Sequence, residues 1–239
     1  MNIEIYPNSG SVAERAASVI ADCAWDAIAE RGLFIMAVSG GHTPWTMLRR
    51  LAAALVPWRA MQIIQVDERV APAGHAERNL THIYESLLAN APLSSDQLHA
   101  MPVESPDLEA AARAYAATLR MIAGEGPVID LVHLGLGPDG HTASLVPGDP
   151  VLDVEDADVA LSGPYQDWRR MTLTYPILDR ARRILWVVTG GEKAAMVKRL
   201  LNSDRQIPAG RVRSDRALLL ADSAAAAQWA GKTGGVICV

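Results

Sequence analysis

Five near-continuous apolar runs, separated by helical patterns, constrain this chain more than any other feature. LFIMAV (residues 33–38), MQIIQV (61–66), VIDLVHL (128–134), RILWVV (183–188) and ALLLA (217–221) place apolar side chains at successive positions, which implies strands buried on both faces. IEIY (3–6) is a further strand at the start of the chain. Helical repeats follow or separate these runs at 45–54, 78–89, 108–123, 192–201 and 223–230. Between the first two strands, Val12, Ala16, Val19, Cys23 and Ala27 recur at three- and four-residue steps, with Ser11 placed to cap that helix and Gly32 to close it. The pattern predicts an α/β fold, a mostly parallel doubly wound sheet with helices on both faces. Residues 149–175 break the rhythm and read as a small antiparallel insertion (DVALSG, MTLTY), and NSDRQIPAG (202–210) reads as a long exposed loop. All of it, 1–239, is expected to form a single domain.

Composition narrows the function. Hydrophobic residues at 50% and charged ones at 21% suit a globular core, and the aromatic share of 5% makes that core aliphatic. A net charge of -5 argues against a nucleic-acid partner, which calls for a basic face. Cys23 and Cys238 form neither a disulfide framework nor a metal-ligand spacing, so a reducing compartment is expected. The N-terminal MNIEIYPNSG has no basic segment followed by an apolar one, and no apolar run approaches ~18 residues. The expectation is a cytoplasmic protein with no membrane partner, a monomer or small homo-oligomer.

In an open α/β sheet, ligands bind beyond the carboxyl ends of the strands, where loops share one rim and helix N-termini point at it. Four such loops here are polar and mostly glycine-rich: SGGHTP, DERVAP, GLGPDGHTAS and TGGEKAA. Gly40, Gly41, His42 and Thr43 lie at a strand-to-helix turn whose backbone N–H groups can cradle an anion, although the turn lacks the G-K-[ST] of a P-loop. Lys193, in the first turn of a helix, opposes the helix dipole and so asks for an anion nearby, and Arg170 is a second candidate clamp. Taken singly, each is more often a solvated surface charge. Asp67, Glu68 and Arg69 end a buried strand, where Asp67 could bind sugar hydroxyls and Arg69 an oxygen that becomes negative.

His141 carries most weight, because an imidazole exchanges protons near neutrality, and if it opens a helix the dipole keeps it neutral and basic. His133 reads as a satisfied core residue, and His75, His82 and His99 show no convergent partners. Gly135, Gly137 and Gly140 match G-x-G-x-x-G, the spacing of a dinucleotide turn. Glu155 and Asp156 stand near the offset of its acidic residue, but two prolines and a glycine intervene and no parallel strand follows, so the match is a coincidence of glycine usage.

The blocks VSGGHTP, DERVAP with Asn79 soon after, DLVHLGLGPDGHTASLVPG, RMTLTYPIL, VVTGGEKAA and IPAGRV occur in this order over nearly the whole chain, which resembles the 6-phosphogluconolactonase family. The resemblance implies a fold shared with glucosamine-6-phosphate deaminases and hydrolysis of 6-phospho-D-glucono-1,5-lactone in the pentose phosphate pathway, without metal or organic cofactor. It assigns His141 as general base, Gly40 to Thr43 with Arg170 and Lys193 as the holders of the 6-phosphate, and Asp67, Arg69 and Asn79 as pocket-lining residues. Gly137, Asp139 and Gly140 of the GPDGH block fall among the expected substrate-binding positions, and Arg69 or backbone N–H groups of residues 137–140 are the expected oxyanion donors. The chain departs from the family pattern at His42 and Arg78, where serines are usual, and at Val146, where phenylalanine is usual. A serine-nucleophile route through Ser144 is weaker, for want of a G-x-S-x-G elbow. The nearest competitor is a sugar-phosphate isomerase or deaminase, whose block resembles GHIAFNEP with an acid after the histidine; GHTASLVP has none, which favours hydrolysis. An NAD-dependent oxidoreductase and a non-catalytic sugar-phosphate sensor are the alternatives from other classes.

Overall fold

The computed structural model describes residues 1–229 and the backbone of residues 236–238. The chain runs from β1 (Asn2–Tyr6) through α1 (Ser9–Arg31), β2 (Phe34–Val38), α2 (His42–Ala52) and β3 (Met61–Gln65) to the short β4 (Asp67–Arg69). Then come α3 (Asn79–Ile83), β5 (Leu98–His99), α4 (Leu108–Ala123), β6 (Leu131–Leu134) and the hairpin of β7 (Val159–Tyr165) and β8 (Trp168–Leu173). α5 (Tyr175–Arg180), β9 (Arg183–Val188), α6 (Ala194–Leu201), α7 (Pro208–Arg211), β10 (Ala217–Asp222) and β11 (Val236–Cys238) complete it. Eight strands form one sheet in the order β11-β1-β10-β9-β6-β2-β3-β5, each neighbouring pair parallel. The second sheet, β4-β8-β7, is antiparallel.

The unbroken apolar runs are explained by two cores, one on each face of the large sheet. Phe34, Met36 and Val38 pack with α1 and α2, while Ile35 and Ala37 face the opposite core with Ala111, Tyr115 and Leu119 of α4. Alternation is invisible in such a strand because neither face meets water. α1 is capped by Asn8, whose Oδ1 accepts the Ser11 N–H at 3.0 Å, so Ser11 sits inside the first turn rather than at the cap. Gly32 closes the helix in the left-handed conformation, φ 74°. Cys23 is a buried free thiol on this helix, and the Cys238 side chain lies outside the described residues. No described helix is long and apolar enough to cross a membrane.

Several local expectations change. Residues 67–69 are a strand, because their backbone pairs with β8 instead of turning in solvent. The helix expected over 78–89 is α3 followed by a π turn through Leu88. Residues 223–228 form turns and residue 230 lies outside the described residues; Asp222 Oδ1 accepts the Ala225 N–H at 2.8 Å at their start. Only part of the segment 202–210 is an exposed loop. Ile207 is buried, and the first residues of α7 lie against the loop after β6, where the Ala209 N–H donates to Gly140 O at 3.0 Å.

His133 is fully buried on β6, with Nδ1 accepting the Ser39 N–H at 3.3 Å and Nε2 without a partner, so it is a half-satisfied core residue. Burial pushes its pKa down to about 3. Between that value and the unfolded value of about 6.5, the unfolded chain binds a proton that the folded chain refuses, so stability is lost as pH falls through this window. Urea unfolding at pH 5 is expected to show a loss of about 2 kcal/mol from this group relative to pH 7.5. The His133→Asn variant should have a correspondingly shallower pH dependence.

Candidate active site

A cavity of about 530 Å3 opens at the carboxyl edge of the sheet. It sits where β2 and β6 lie side by side while their onward connections run to opposite sides, toward β3 and toward β9. This is the switch point at which open α/β sheets leave a crevice. Gly40, Gly41, His42, Thr43, Asp67, Arg69, Asn79, Gly137, His141, Arg170 and Lys193 all line it, so residues distant in sequence converge. Asp139 and Gly140, also expected there, do not line it.

The turn after β2 is built for close approach. Gly41 caps α2 at φ 128° with no side-chain hydrogen bond to the helix N-terminus, leaving the first N–H groups without an internal cap. A Cβ on Gly40 would come within 2.0 Å of Asn79 Oδ1, so only glycine fits there. Thr43 Oγ1 lies 2.6 Å from Thr189 Oγ1, which ties this turn to the loop after β9. That loop delivers Lys193, whose pKa burial lowers against the opposing pull of Glu192 and Asp139. Its ammonium forms no ion pair among the described residues. His42 is exposed; its ring lies 4.9 Å from Trp45, which stacks on His82 at 3.9 Å.

β4 supplies a second group of charges, divided by strand alternation. Asp67 and Arg69 reach the cavity, while Glu68 is fully buried on the other side. The Glu68 carboxylate accepts N–H groups from Arg69, Asn79 and Leu80, each at 2.8 Å, and pairs with Arg78 Nε at 3.3 Å. Arg78 is therefore a buried structural partner and not a cavity residue. In the β4–β8 register Arg69 stands directly opposite Arg170. Arg69 Nη1 donates to Glu77 O at 2.7 Å and Asn79 Oδ1 at 3.0 Å, and its Nε is buried without a partner. Arg170 is 3% exposed; burial first, then the Arg69 charge, lower its pKa. Two adjacent guanidiniums without a carboxylate pair create a strong demand for an anion.

The loop after β6 presents the histidine without a helix. Thr142 and Leu145 form an isolated bridge there, so the dipole argument for a neutral imidazole does not apply. Asp139 Oδ1 lies 2.6 Å from His141 Nδ1 and accepts the His141 N–H at 3.1 Å. Burial raises the Asp139 pKa, but the His141 donors and the Tyr165 hydroxyl outweigh it, leaving the carboxyl below its usual value. A neutral imidazole that donates from Nδ1 to this carboxylate carries its lone pair on Nε2. A Cβ on Gly137 would fall 2.1 Å from His141 Nδ1, and one on Gly140 (φ 87°) would fall 2.7 Å from Ile207. The N–H of Gly137 donates to His141 O and that of Gly140 to Gly137 O, so neither is free as an oxyanion donor. Ser144 is fully buried and its hydroxyl donates to Asp67 Oδ2 at 2.7 Å, which leaves no nucleophile there.

Sequence reasoning missed Tyr165, Gln166, Thr189 and Glu192, the last three of which line the cavity. Tyr165 and Gln166 belong to the tip of the β7–β8 hairpin, where Gln166 and Asp167 take φ of 50° and 68°. No glycine or Asn-Gly pair marks that turn.

Sheet order and a switch-point cavity that gathers a carboxylate-backed histidine with three cations define a doubly wound α/β protein of the kind that carries its active site at the carboxyl edge of the sheet. The family model for glucosamine-6-phosphate isomerases/6-phosphogluconolactonase matches residues 7–220. A 6-phosphogluconolactonase of Synechocystis is 34% identical over 80% of this chain and 81% of its own. That of Mycobacterium tuberculosis is 33% identical over 95% and 98%. The crystal structure of 6-phosphogluconolactonase from Thermotoga maritima superposes with a TM-score of 0.83 at 26% identity, covering 93% of this chain and 99% of that one. The chain belongs to the 6-phosphogluconolactonase family of hydrolases.

The unpaired cations make a binding test direct. Inorganic phosphate at a hundred times its Kd should add about 2.7 kcal/mol of stability, roughly 5–10 °C in Tm for a chain of this size. Arg170→Ala or Lys193→Ala should remove most of that protection in a thermal melt.

Proposed function

We propose that this chain hydrolyses 6-phospho-D-glucono-1,5-lactone to 6-phospho-D-gluconate, the second step of the oxidative pentose phosphate pathway, with His141 as general base. The observation that carries the reading is convergence: the carboxylate-backed imidazole and three cations without anionic partners share one cavity of about 530 Å3. The named activity of the relatives supports the substrate.

In this mechanism His141 Nε2 removes a proton from a water as its oxygen attacks C1 of the lactone. The imidazolium, held by Asp139 Oδ1 at Nδ1, returns that proton to the ring oxygen as the C1–O bond breaks. Water and lactone are thereby converted to the open hydroxy acid with no redox change and no group left on the enzyme. Negative charge develops on the C1 carbonyl oxygen. Since the Gly137 and Gly140 N–H groups are occupied, Arg69, whose side chain lines the cavity, is the assigned donor. Arg170, Lys193 and the turn of Gly40 to Thr43 hold the phosphate, with Asp67 and Asn79 available to the sugar hydroxyls. Binding energy gathered at the phosphate fixes C1 against the imidazole, remote from the bond that breaks.

His141→Ala should lower kcat by about 10²–10⁴-fold, to a rate indistinguishable from spontaneous lactone hydrolysis. Lys193→Ala should act mainly on KM. Wild-type protein that leaves the spontaneous rate unchanged would remove the reading altogether.

A further inference from the structure

Asp139 has both carboxylate oxygens engaged, by two different elements. Oδ1 faces His141 Nδ1 at 2.6 Å, and Oδ2 accepts from the Tyr165 hydroxyl at 3.1 Å. That hydroxyl also lies 3.4 Å from His141 Nδ1, but Nδ1 is committed to Asp139, so the phenolic proton goes to the carboxylate. The Tyr165 ring meets the imidazole edge-on, with centroids 5.2 Å apart. Its other face and its carbonyl serve the cation cluster: the Arg170 guanidinium carbon is 5.1 Å from the ring centroid, and Arg170 Nε and Nη2 donate to Tyr165 O at 3.3 and 3.0 Å. The hairpin tip that follows takes two left-handed, non-glycine residues, Gln166 and Asp167, a costly turn that persists only when its surroundings hold it.

We propose that Tyr165 is a positioning residue for the base, its hydroxyl fixing and tempering the Asp139 carboxylate behind His141 while its ring and carbonyl seat Arg170, so that base and phosphate clamp share one support. This rests on the reading of His141 as general base. A carboxylate gripped at one oxygen can rotate away from the imidazole; gripped at both, it cannot. The second donor also withdraws charge from the carboxylate, which softens its pull on the proton carried between Asp139 and the imidazole. Burial and the Asp139 charge keep the Tyr165 hydroxyl above its usual pKa, which keeps it a donor. The groups arranged around the imidazole are Asp139 on its own loop, Tyr165 from β7, Arg170 from β8, Asp67 and Arg69 from β4, and Glu192 and Lys193 after β9. Of these, Asp139 and Tyr165 are the titratable side chains in contact with it.

Tyr165→Phe tests the hydroxyl while keeping the ring and carbonyl that seat Arg170. In lactone hydrolysis, kcat should fall roughly two- to tenfold, the value of one hydrogen bond, with KM close to wild type. The acid limb of the kcat/KM profile should move upward by roughly half a pH unit. Thermal protection by inorganic phosphate should be unchanged. Tyr165→Leu, which also removes the ring under Arg170, should in addition raise KM and weaken that protection. A Tyr165→Phe enzyme with wild-type kcat and an unmoved acid limb overturns the proposal, as does one whose only defect is lower Tm. If that result comes with an active wild type and an inactive His141→Ala, the base assignment stands and only the role of Tyr165 falls. A wild type at the spontaneous rate overturns both.

Discussion

The pairing of β4 with β8 is the constraint on which the site depends. It brings Arg69, from the strand after β3, opposite Arg170, from an insertion about a hundred residues later, with Asp67 two positions away on the same face. Two guanidiniums set side by side would drive apart or recruit a carboxylate unless the backbone were fixed by something stronger. Glu68 supplies that fixation from the opposite face. Its buried carboxylate gathers N–H donors from Arg69, Asn79 and Leu80, the amide of Gln65 and the guanidinium of Arg78. Removing this carboxylate from the core would leave several buried donors unpaired. One residue therefore anchors β4, starts α3 and presents Asn79 to the Gly40 turn.

A chain with net charge -5 thus concentrates cations where it needs them. Arg69, Arg170 and Lys193 share a cavity in which burial lowers the pKa of both Arg170 and Lys193. Lowered values mean that burial disfavours the charged forms of both groups, a cost that nearby negative charge offsets.

The layered fold was legible because its cause is local: strands sealed on both faces must read as unbroken apolar runs, and those of β2, β3, β6, β9 and β10 do. The loops that end them fall at one rim by topology alone, which is why Gly40, Lys193 and His141 could be placed together without coordinates. What failed was whatever depended on a partner distant in sequence. β4 looks like a charged turn until β8 pairs with it; residues 207–210 look exposed until Gly140 covers them. The dipole argument for His141 held only if a helix opened there, and none does; its partner is instead Asp139, two residues away, visible in the letters GPDGH but not recognisable as a hydrogen bond. Tyr165 was unreadable because its turn uses Gln166 and Asp167 where glycine would have announced it.

The same physics settles what the G-x-G-x-x-G spacing is for. In a dinucleotide turn the glycines let a helix N-terminus approach a pyrophosphate. Here no helix follows, and each constrained glycine has a neighbour in the protein itself. Gly137 makes room for the imidazole that rests on it, and Gly140 reverses the chain against Ile207 while its carbonyl accepts from Ala209. Gly135 has nothing within 4 Å of a would-be Cβ, so its place in the pattern carries no packing demand. The loop is a mount for one side chain: the N–H groups of Gly137, Gly140 and His141 are all taken within it. Under the proposed reading an anion is met elsewhere in the cavity, at the Gly40 turn, Arg170 and Lys193, which line it together with His141.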